Sequence, residues 1–572
     1  MRTTRMAFVV AAVGAVLIAP TVATAGVSSD VLVSNGSPTT PFSQNKQNEP
    51  TITVDANSSN VLVAGSNDEI DEQGCNGNSC PFTPGVGVSG VYFSFDSGKT
   101  WTQPTYDGYS ARNCSSGPCT PVSGGPIGTL PWYFENGLVS DGDPGVAFGP
   151  KRGAGGFSWS NGTRLYYSNL TSNFPTGKAF NGFEAIAVSR TDNAVTGVPA
   201  KGDWMPPVIV TQQSNTTFSD KSQIWADNAS SSSFFGTVYV RWADFQGQEK
   251  GHAAPAQMSV GVSTDGGSTW TSHPIGAAAN NGQRSPLDGC TIRTDSHGNA
   301  YVFGVGTVSS AGHQPAELMS VSHNGGHNWS SPTAVSGPVT QPGIFDPVQG
   351  RPEIDGITGA RSDLAVAPSV DLANGAPTGS DATNRIVMTY VSGSINTQHV
   401  LFTESANNGA SWSTPTAVES AGDHGIYTAP SISPNGTDVY VVYNAFTTPY
   451  RNDVTSARTM VGVVTHADVG VSGTGAFTEQ HRGDPGDVRG SSANSLSDEF
   501  IGDYVYVTAT RTFGAAVWND VRNAAVCTAV ETWRSSLETS PGSVTKPSPG
   551  TDCPTNFGNT DIYGGAYVDP TP

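Results

Sequence analysis

Charged side chains are scarce in this 572-residue chain, where Asp, Glu, Lys and Arg make up only 13%. They nevertheless gather at two recurring places. One set stands just ahead of a β-rich run: Glu49, Asp141, Asp143, Asp220, Lys221, Asp288, Arg361, Asp363, Asp498, Glu499, Asp503 and Tyr504. The other follows the next run: Asp68, Glu69, Arg241, Asp244, His313, Arg451, Asp520 and Arg522. Such a set suits a polar cleft for a polyhydroxylated or anionic ligand. Two carboxylates drawn from Glu49, Asp68, Asp363 and Glu499 could carry out ordinary glycoside hydrolysis, one as acid and one as nucleophile or base. The competing structural role is that lead-in aspartates cap turns and pair with neighbouring arginines. Asp141, Asp143, Asp71 and Glu72 offer oxygen donors for a structural calcium, without the EF-hand spacing. His252 and His313 are the two histidines kept as site candidates, and no spacing resembles a zinc site. Trp242, Phe245, Tyr443 and Trp518 could stack on sugar rings, although aromatics on such strands more often build core.

The elements that must position these residues repeat. A polar lead-in, a strand, a turn and a second strand rich in Val, Tyr and Trp begin at Glu49, Asp141, Asp220, Asp288, Asp363, Tyr427 and Asp498. Each of the seven units has room for four strands, which predicts an all-β fold, a single β-propeller of four-stranded antiparallel blades. The isolated run Val31 to Ser34 is expected to pair with Asp561 to Val568 and close the ring with strands from both termini. Four octapeptides punctuate the units. Ser94 to Trp101 (SFDSGKTW) and Ser263 to Trp270 (STDGGSTW) fit SxDxGxTW, while Ser322 to Trp329 (SHNGGHNW) and Ser405 to Trp412 (SANNGASW) carry Asn in the Asp place. In each, the Asp or Asn accepts backbone hydrogen bonds, the Gly allows positive φ, and the Trp buries between neighbouring units. They fall where a third-to-fourth strand turn belongs, on the face away from the lead-ins.

These octapeptides resemble the Asp-boxes, or BNR repeats, of the sialidase-like β-propeller families, in their secreted bacterial form. The resemblance implies a glycan-acting hydrolase of exo-sialidase type that removes terminal acidic sugars from extracellular glycans. Sialidases usually have six blades, so the count of seven departs from them and six is the alternative. A sialidase holds the substrate carboxylate with three arginines and uses an acid/base Asp and a Tyr nucleophile paired with Glu, because a carboxylate nucleophile would be repelled. By position, Arg241, Arg361 and Arg522 would hold the carboxylate, Asp68 or Asp363 would be the acid, and Tyr504 the nucleophile beside Glu499. Glu49 and Asp520 would line the substrate site. The family's Arg-Ile-Pro motif is absent, and Asn48-Glu49-Pro50 stands in its place.

Composition bounds the remaining options. A formal charge of -20 argues against nucleic acid, which wants a basic footprint, and against an anionic membrane surface. Residues 1–25 read as a secretory signal, with Arg2 and Arg5 ahead of a short apolar run and Ala23-Thr-Ala25 before the cleavage point. Residues 26–48 then form the closing strand and linker, and 49–572 the propeller. The mature chain is expected outside the cell as a monomer with no membrane span and no cofactor beyond that calcium. Six of seven cysteines group as Cys75 with Cys80, Cys114 with Cys119 and Cys527 with Cys553, as for disulfides that staple surface loops. Cys290 is left as a small apolar side chain. Two other functions stay open: a propeller that only binds carbohydrate or protein, and a uronic-acid polysaccharide lyase.

Overall fold

The computed structural model describes residues 30–38, 46–75, 77, 80, 82–115, 118–211, 213–246, 256–279, 288–307, 312, 314–354, 359–362 and 364–571. Seven small antiparallel sheets form seven propeller blades. Their innermost strands are Gln47–Asp55, Gly145–Gly153, Thr217–Ala226, Asp288–Thr294, Ser369–Leu372, His424–Ile432 and Tyr506–Ala509, and each touches the innermost strand of the next blade around the ring. Seven is therefore the blade count, and the six-bladed alternative is set aside. In blade 7 the order from the channel outward is Tyr506–Ala509, Phe513–Asp520, Asp561–Val568 and Val31–Leu32. The N-terminal strand pairs with the C-terminal one at Val31 with Gly564 and Leu32 with Tyr563, as expected from their isolation in the sequence.

Hydrophobic packing lies between blades. Ala147, Tyr166 and Ile186 of blade 2 meet Ile224, Val240 and Trp242 of blade 3 in one cluster. Tyr239 and Val260 of blade 3 meet Ile292 and Leu318 of blade 4 in the next. Trp101, Trp270, Trp329 and Trp412 each pack on the seam between their own blade and the one before it. The four octapeptides share one hydrogen-bond pattern, seen in Ser263–Trp270. The Ser263 hydroxyl donates to Asp265 at 2.8 Å, the Gly267 amide donates to Ser263 Oγ at 2.8 Å, the Thr269 amide donates to Asp265 at 3.0 Å, and the indole donates to the Gly267 carbonyl at 3.2 Å. The other three repeat it. The fifth residue is a left-handed glycine in every copy, at φ 82°, 81°, 86° and 82°.

Three disulfides, Cys75–Cys80, Cys114–Cys119 and Cys527–Cys553, match the expected grouping. The stretch closed by Cys527 and Cys553, read from sequence as a loop, holds a 12-residue helix, Thr528–Thr539. Its apolar face is narrow, which hides it from a periodicity argument. Arg534 on that helix is buried and donates to the carbonyls of Leu496 at 2.8 Å and Asp498 at 2.7 Å, so the helix fixes the lead-in of blade 7. The export signal expected at 1–25 lies outside the described residues. Among the described residues no helix is long and apolar enough to cross a membrane.

A Cβ on Gly267 would lie 2.8 Å from Arg190 Cδ and 3.2 Å from Tyr166 Cε1 of blade 2, whereas Gly124 at φ 77° faces open space. Gly124→Ala is therefore expected to cost about 1 kcal/mol from backbone strain alone, and Gly267→Ala at least about 1 kcal/mol more from the added clash. Urea denaturation of the two variants beside the parent checks this ordering.

Candidate functional site

The channel mouth opposite the octapeptide turns is shaped by a kink repeated in the innermost strands. Glu49 and Lys221 within the innermost strands of blades 1 and 3, and Asp143 just ahead of that of blade 2, have left-handed backbones, φ 55°, 57° and 51°, and Gly289 in the strand of blade 4 does the same at φ 57°. The register shifts between Asn48 and Thr51, and again between Asp220 and Gln223. A left-handed non-glycine residue costs about 1–3 kcal/mol and persists where its surroundings impose it. Here the surroundings are hydrogen bonds to the kinked backbone: Glu49 N–H donates to Asn519 at 2.9 Å, Asp143 N–H to Asn67 at 2.7 Å and Lys221 N–H to Asp220 at 2.8 Å. Gly502 of blade 7 passes so close that a Cβ there would lie 2.5 Å from Glu49 Cγ.

The kinks bring three charged side chains to one point. Lys221 Nζ lies 2.7 Å from Asp503 Oδ2, 3.0 Å from Asp143 Oδ2 and 3.6 Å from Glu49 Oε1. Arg361 grips Asp503 in a bidentate pair, with Nε to Oδ1 at 2.9 Å and one terminal nitrogen to Oδ2 at 2.5 Å, and that nitrogen lies 3.6 Å from Glu49. Asn67 donates to Glu49 Oε2 at 2.9 Å. Arg241, fully buried, donates to the Lys221 carbonyl at 2.7 Å. Burial alone would strip the ammonium proton, but Asp143, Asp503, Glu49 and Asp220 outweigh it and hold the Lys221 pKa well above its ordinary value. Burial, and then the adjacent Glu49 carboxylate, push Asp143 upward as well, well above the usual carboxyl range and against the pull of Lys221. Asp143 thus holds its proton more strongly than an ordinary carboxyl. Burial, then Asp143 and Glu49, also raise the Tyr504 phenol, whose ring centroid is 5.6 Å from Lys221 Nζ.

The residues singled out from sequence divide into groups. Glu49, Arg361, Arg241 and Tyr504 stand in or against this cluster. Asp68 is buried in blade 1, where it accepts from Gln47, Ile70, Tyr92 and Gln103. Arg522 and Asp520 form a separate group, with Asp520 Oδ2 2.7 Å and Asp484 3.2 Å from the guanidinium, Asp30 also paired to it, and the Tyr563 ring centroid at 4.0 Å. Arg522 thus pairs with Asp520, Asp484 and Asp30, whereas Arg361 pairs with Asp503 and Glu49. Glu499 is buried, bridges the backbone of Ala360 and helps raise the Arg489 pKa behind Asp487. Asp363, His252 and His313 lie outside the described residues. Trp242, Phe245, Tyr443 and Trp518 are buried between strands rather than presented to a ligand.

Of the calcium candidates, Asp143 is held by Lys221, and Asp141 accepts from the Ser172 amide at 2.5 Å. Asp71 and Glu72 accept from the Gly128 and Thr83 amides, and burial lifts them to about 7 and about 8. Lys221, Asp143 and Asp503, all in the lead-in set, turn out to be its centre. No local signal sets these three apart from the other lead-in charges, since each simply stands in a polar stretch ahead of a strand, in Gly-Asp-Pro, Asp-Lys-Ser and Gly-Asp-Tyr.

Two cavities lie along the channel. Beside the cluster, Lys221, Asp503, Tyr504, Gly289 and Thr428 bound a space of ≈ 40 Å³, large enough for water and too small for a sugar ring. Gln223 and Tyr506 separate it from a cavity of ≈ 280 Å³ toward the octapeptide face, lined by Thr51, Asn57, Trp225, Arg293, Asp371 and Asn374 among others. There Arg293 lies 4.6 Å from the Trp225 ring centroid and 3.0 Å from Asp371.

No family model matches the chain, and no curated protein sequence matches it. Among solved structures it is similar to the intramolecular trans-sialidase from Ruminococcus gnavus, at 12% identity over 73% of this chain and 94% of that one, with a TM-score of 0.40. It is also similar to the Hadza microbial sialidase, at 12% identity over 69% of this chain and 63% of that one, TM-score 0.38. A third likeness is to an α-L-arabinofuranosidase from Fusarium graminearum, at 10% identity over 95% and 98% of the two chains, TM-score 0.34. At these scores no residue role passes from them to this chain.

Removing the central cation leaves its carboxylates buried and unpaired. Lys221→Met is expected to cost about 3–5 kcal/mol of folding stability. The deficit should be larger at pH 8 than at pH 5, because acid protonates the stranded carboxylates and relieves their repulsion. Denaturant unfolding of parent and variant at both pH values measures it.

Proposed function

We propose that this chain is a secreted glycan-acting hydrolase whose reaction centre is the Lys221 cluster. The observation that carries the proposal is the gathering of three carboxyls, Glu49, Asp143 and Asp503, round one buried ammonium on kinked strands at a propeller's channel mouth, with the Asp143 pKa pushed well above the usual range. A glycosidase divides two roles between such groups: one carboxyl to protonate the leaving oxygen, one carboxylate to face the anomeric carbon. Asp143 supplies the acid. Asp503 is the second group: its Oδ2 and that of Asp143 lie 2.7 and 3.0 Å from the same ammonium. Those oxygens are therefore no more than about 6 Å apart, below the separation of an inverting pair and compatible with retention. Lys221 and Arg361 hold Asp503 in place, and burial with the adjacent Glu49 raises the pKa of Asp143. With room only for water beside the cluster, substrate entry entails opening of this mouth.

The arrangement favours a neutral sugar over a sialoside. Two edge nitrogens of Arg361 are on Asp503, and Arg522 is committed to Asp520, Asp484 and Asp30, so neither presents the free fork that a substrate carboxylate takes. A second reading, a propeller that only binds extracellular carbohydrate as a monomer, is supported by the ≈ 280 Å³ cavity, whose Arg293–Trp225 stack and amide and hydroxyl lining suit a polyol.

Turnover of a panel of fluorogenic glycosides, neutral pentosides and hexosides beside a sialoside, decides between these. The expected result is release from a neutral member with retained anomeric configuration. Asp143→Asn, which keeps the shape and neutrality of the protonated acid, should fold with parent stability and lose about 10²-fold or more in kcat. No release from any member, with a neutral sugar perturbing Trp225 fluorescence, would replace the hydrolase with the binder. Release from the sialoside alone would restore the exo-sialidase reading.

A further inference from the structure

Blade 7 has no third-to-fourth strand turn, because its outermost strand arrives from the N-terminus. In blades 1, 3, 4 and 5 that turn places its left-handed glycine against the preceding blade: Gly98 on Ala566, Gly267 on Tyr166, Gly326 on Tyr239 and Gly409 on Met319. At the corresponding corner of blade 7, the exit of the strand Asp561–Val568, a different group meets blade 6. Asp569 joins Asp438, His466 and Asp468, and one ligand atom from each of the four lies within 4.8 Å of the others. His466 Nε2 is 3.2 Å from Asp438 Oδ1, and the Thr571 hydroxyl donates to both Asp468 and Asp569. Asp438, His466 and Asp569 are buried. Among the described residues no lysine or arginine pairs with Asp468 or Asp569.

A second observation points into the same corner. Tyr440, fully buried, stands opposite His466 across the strand pair with its ring 4.7 Å from the imidazole, and Asp438 opposite Asp468 is the next pair on the same face. The Gly514 amide approaches the Tyr440 hydroxyl, but no acceptor takes its proton. Three carboxylates and one imidazole, with no lysine or arginine on Asp468 or Asp569 among the described residues and a stranded phenol beside them, leave charge and hydrogen-bonding capacity unmet in a largely buried place.

We propose that Asp438, His466, Asp468 and Asp569 bind one divalent metal ion of the Zn²⁺ or Mn²⁺ class, which pins the end of the closing blade to blade 6 where the other blades use a turn. The imidazole is the reason for choosing that class over Ca²⁺, which takes all-oxygen sets. The site is separate from the Lys221 cluster and from the carboxylates first considered for calcium, and it is structural, so it stands whichever function the channel has.

The test is calorimetric titration of the EDTA-treated protein with Zn²⁺, Mn²⁺ and Ca²⁺, together with thermal unfolding. One Zn²⁺ or Mn²⁺ per chain is expected, bound at least about tenfold more tightly than Ca²⁺. The unfolding midpoint should rise by about 2–3 °C at a hundredfold excess over Kd. His466→Gln and Asp468→Asn should each abolish both effects, and since Asp468 is exposed its variant leaves the core intact. An absence of binding, tighter binding of Ca²⁺, or binding unchanged in both variants would overturn the proposal.

Discussion

An ammonium group taken out of water must be ringed by carboxylates or give up its proton, and in this protein that requirement sets the geometry of the channel mouth. Lys221 reaches three carboxylates from three different blades: Glu49, Asp143 and Asp503. To meet at one point the innermost strands of blades 1 and 3, and the lead-in to that of blade 2, adopt left-handed backbones at charged residues, a conformation that would otherwise be avoided. The cost of those kinks is offset by ion pairs that join side chains of blades 1, 2, 3 and 7 across the closure of the ring. The strand Val31–Leu32 completes blade 7, and Arg534 on the helix of the same blade anchors the Leu496–Asp498 carbonyls upstream of Asp503.

The channel has two chemically different ends. Toward the octapeptide face it widens into a cavity where Arg293 and Asp371 neutralise one another and hydroxyl and amide groups alternate with apolar side chains. At the other end burial and Glu49 raise the Asp143 pKa well above the usual carboxyl range, next to an ammonium whose own pKa is raised by the carboxylates around it. Among the described residues the second end gathers three carboxyls round one cation, which is why the proposed chemistry is placed there and simple binding, if the chain does no chemistry, at the first. The paired state of Arg361 and Arg522 separates both ends from the anion-binding fork that the octapeptides suggest by resemblance.

The fold was legible in the sequence because its signals are local. Strand periodicity, seven lead-ins and four octapeptide turns each depend on neighbours a few residues apart, and the isolated runs at Val31 and Asp561 left one way to close the ring. The helix Thr528–Thr539 was not legible, since a short insertion with a narrow apolar face looks like polar loop. Half the site was legible in the same sense. That Glu49, Arg361 and Tyr504 lie at the mouth follows from their place before a strand. Which lead-in residue sits at the centre does not, because that depends on which kinks point inward, and Lys221 and Asp143 look no different from Asp141 or Asp498 in a list of charges. Asp68 and Arg522 were equally well placed by position, yet their strands turn them toward Tyr92 and Asp30.

The claim on which the rest turns is that one carboxyl in the cluster keeps its proton at neutral pH. Carbon-detected NMR of the side-chain carboxyl groups across pH 4–9, with Asp143→Asn used for assignment, observes it directly. The account predicts a resonance, absent from the variant, that retains the chemical shift of a neutral carboxylic acid through pH 7. A spectrum in which the Asp143 carboxyl titrates at the ordinary value near 4 would contradict it, and with it the assignment of an acid to this site.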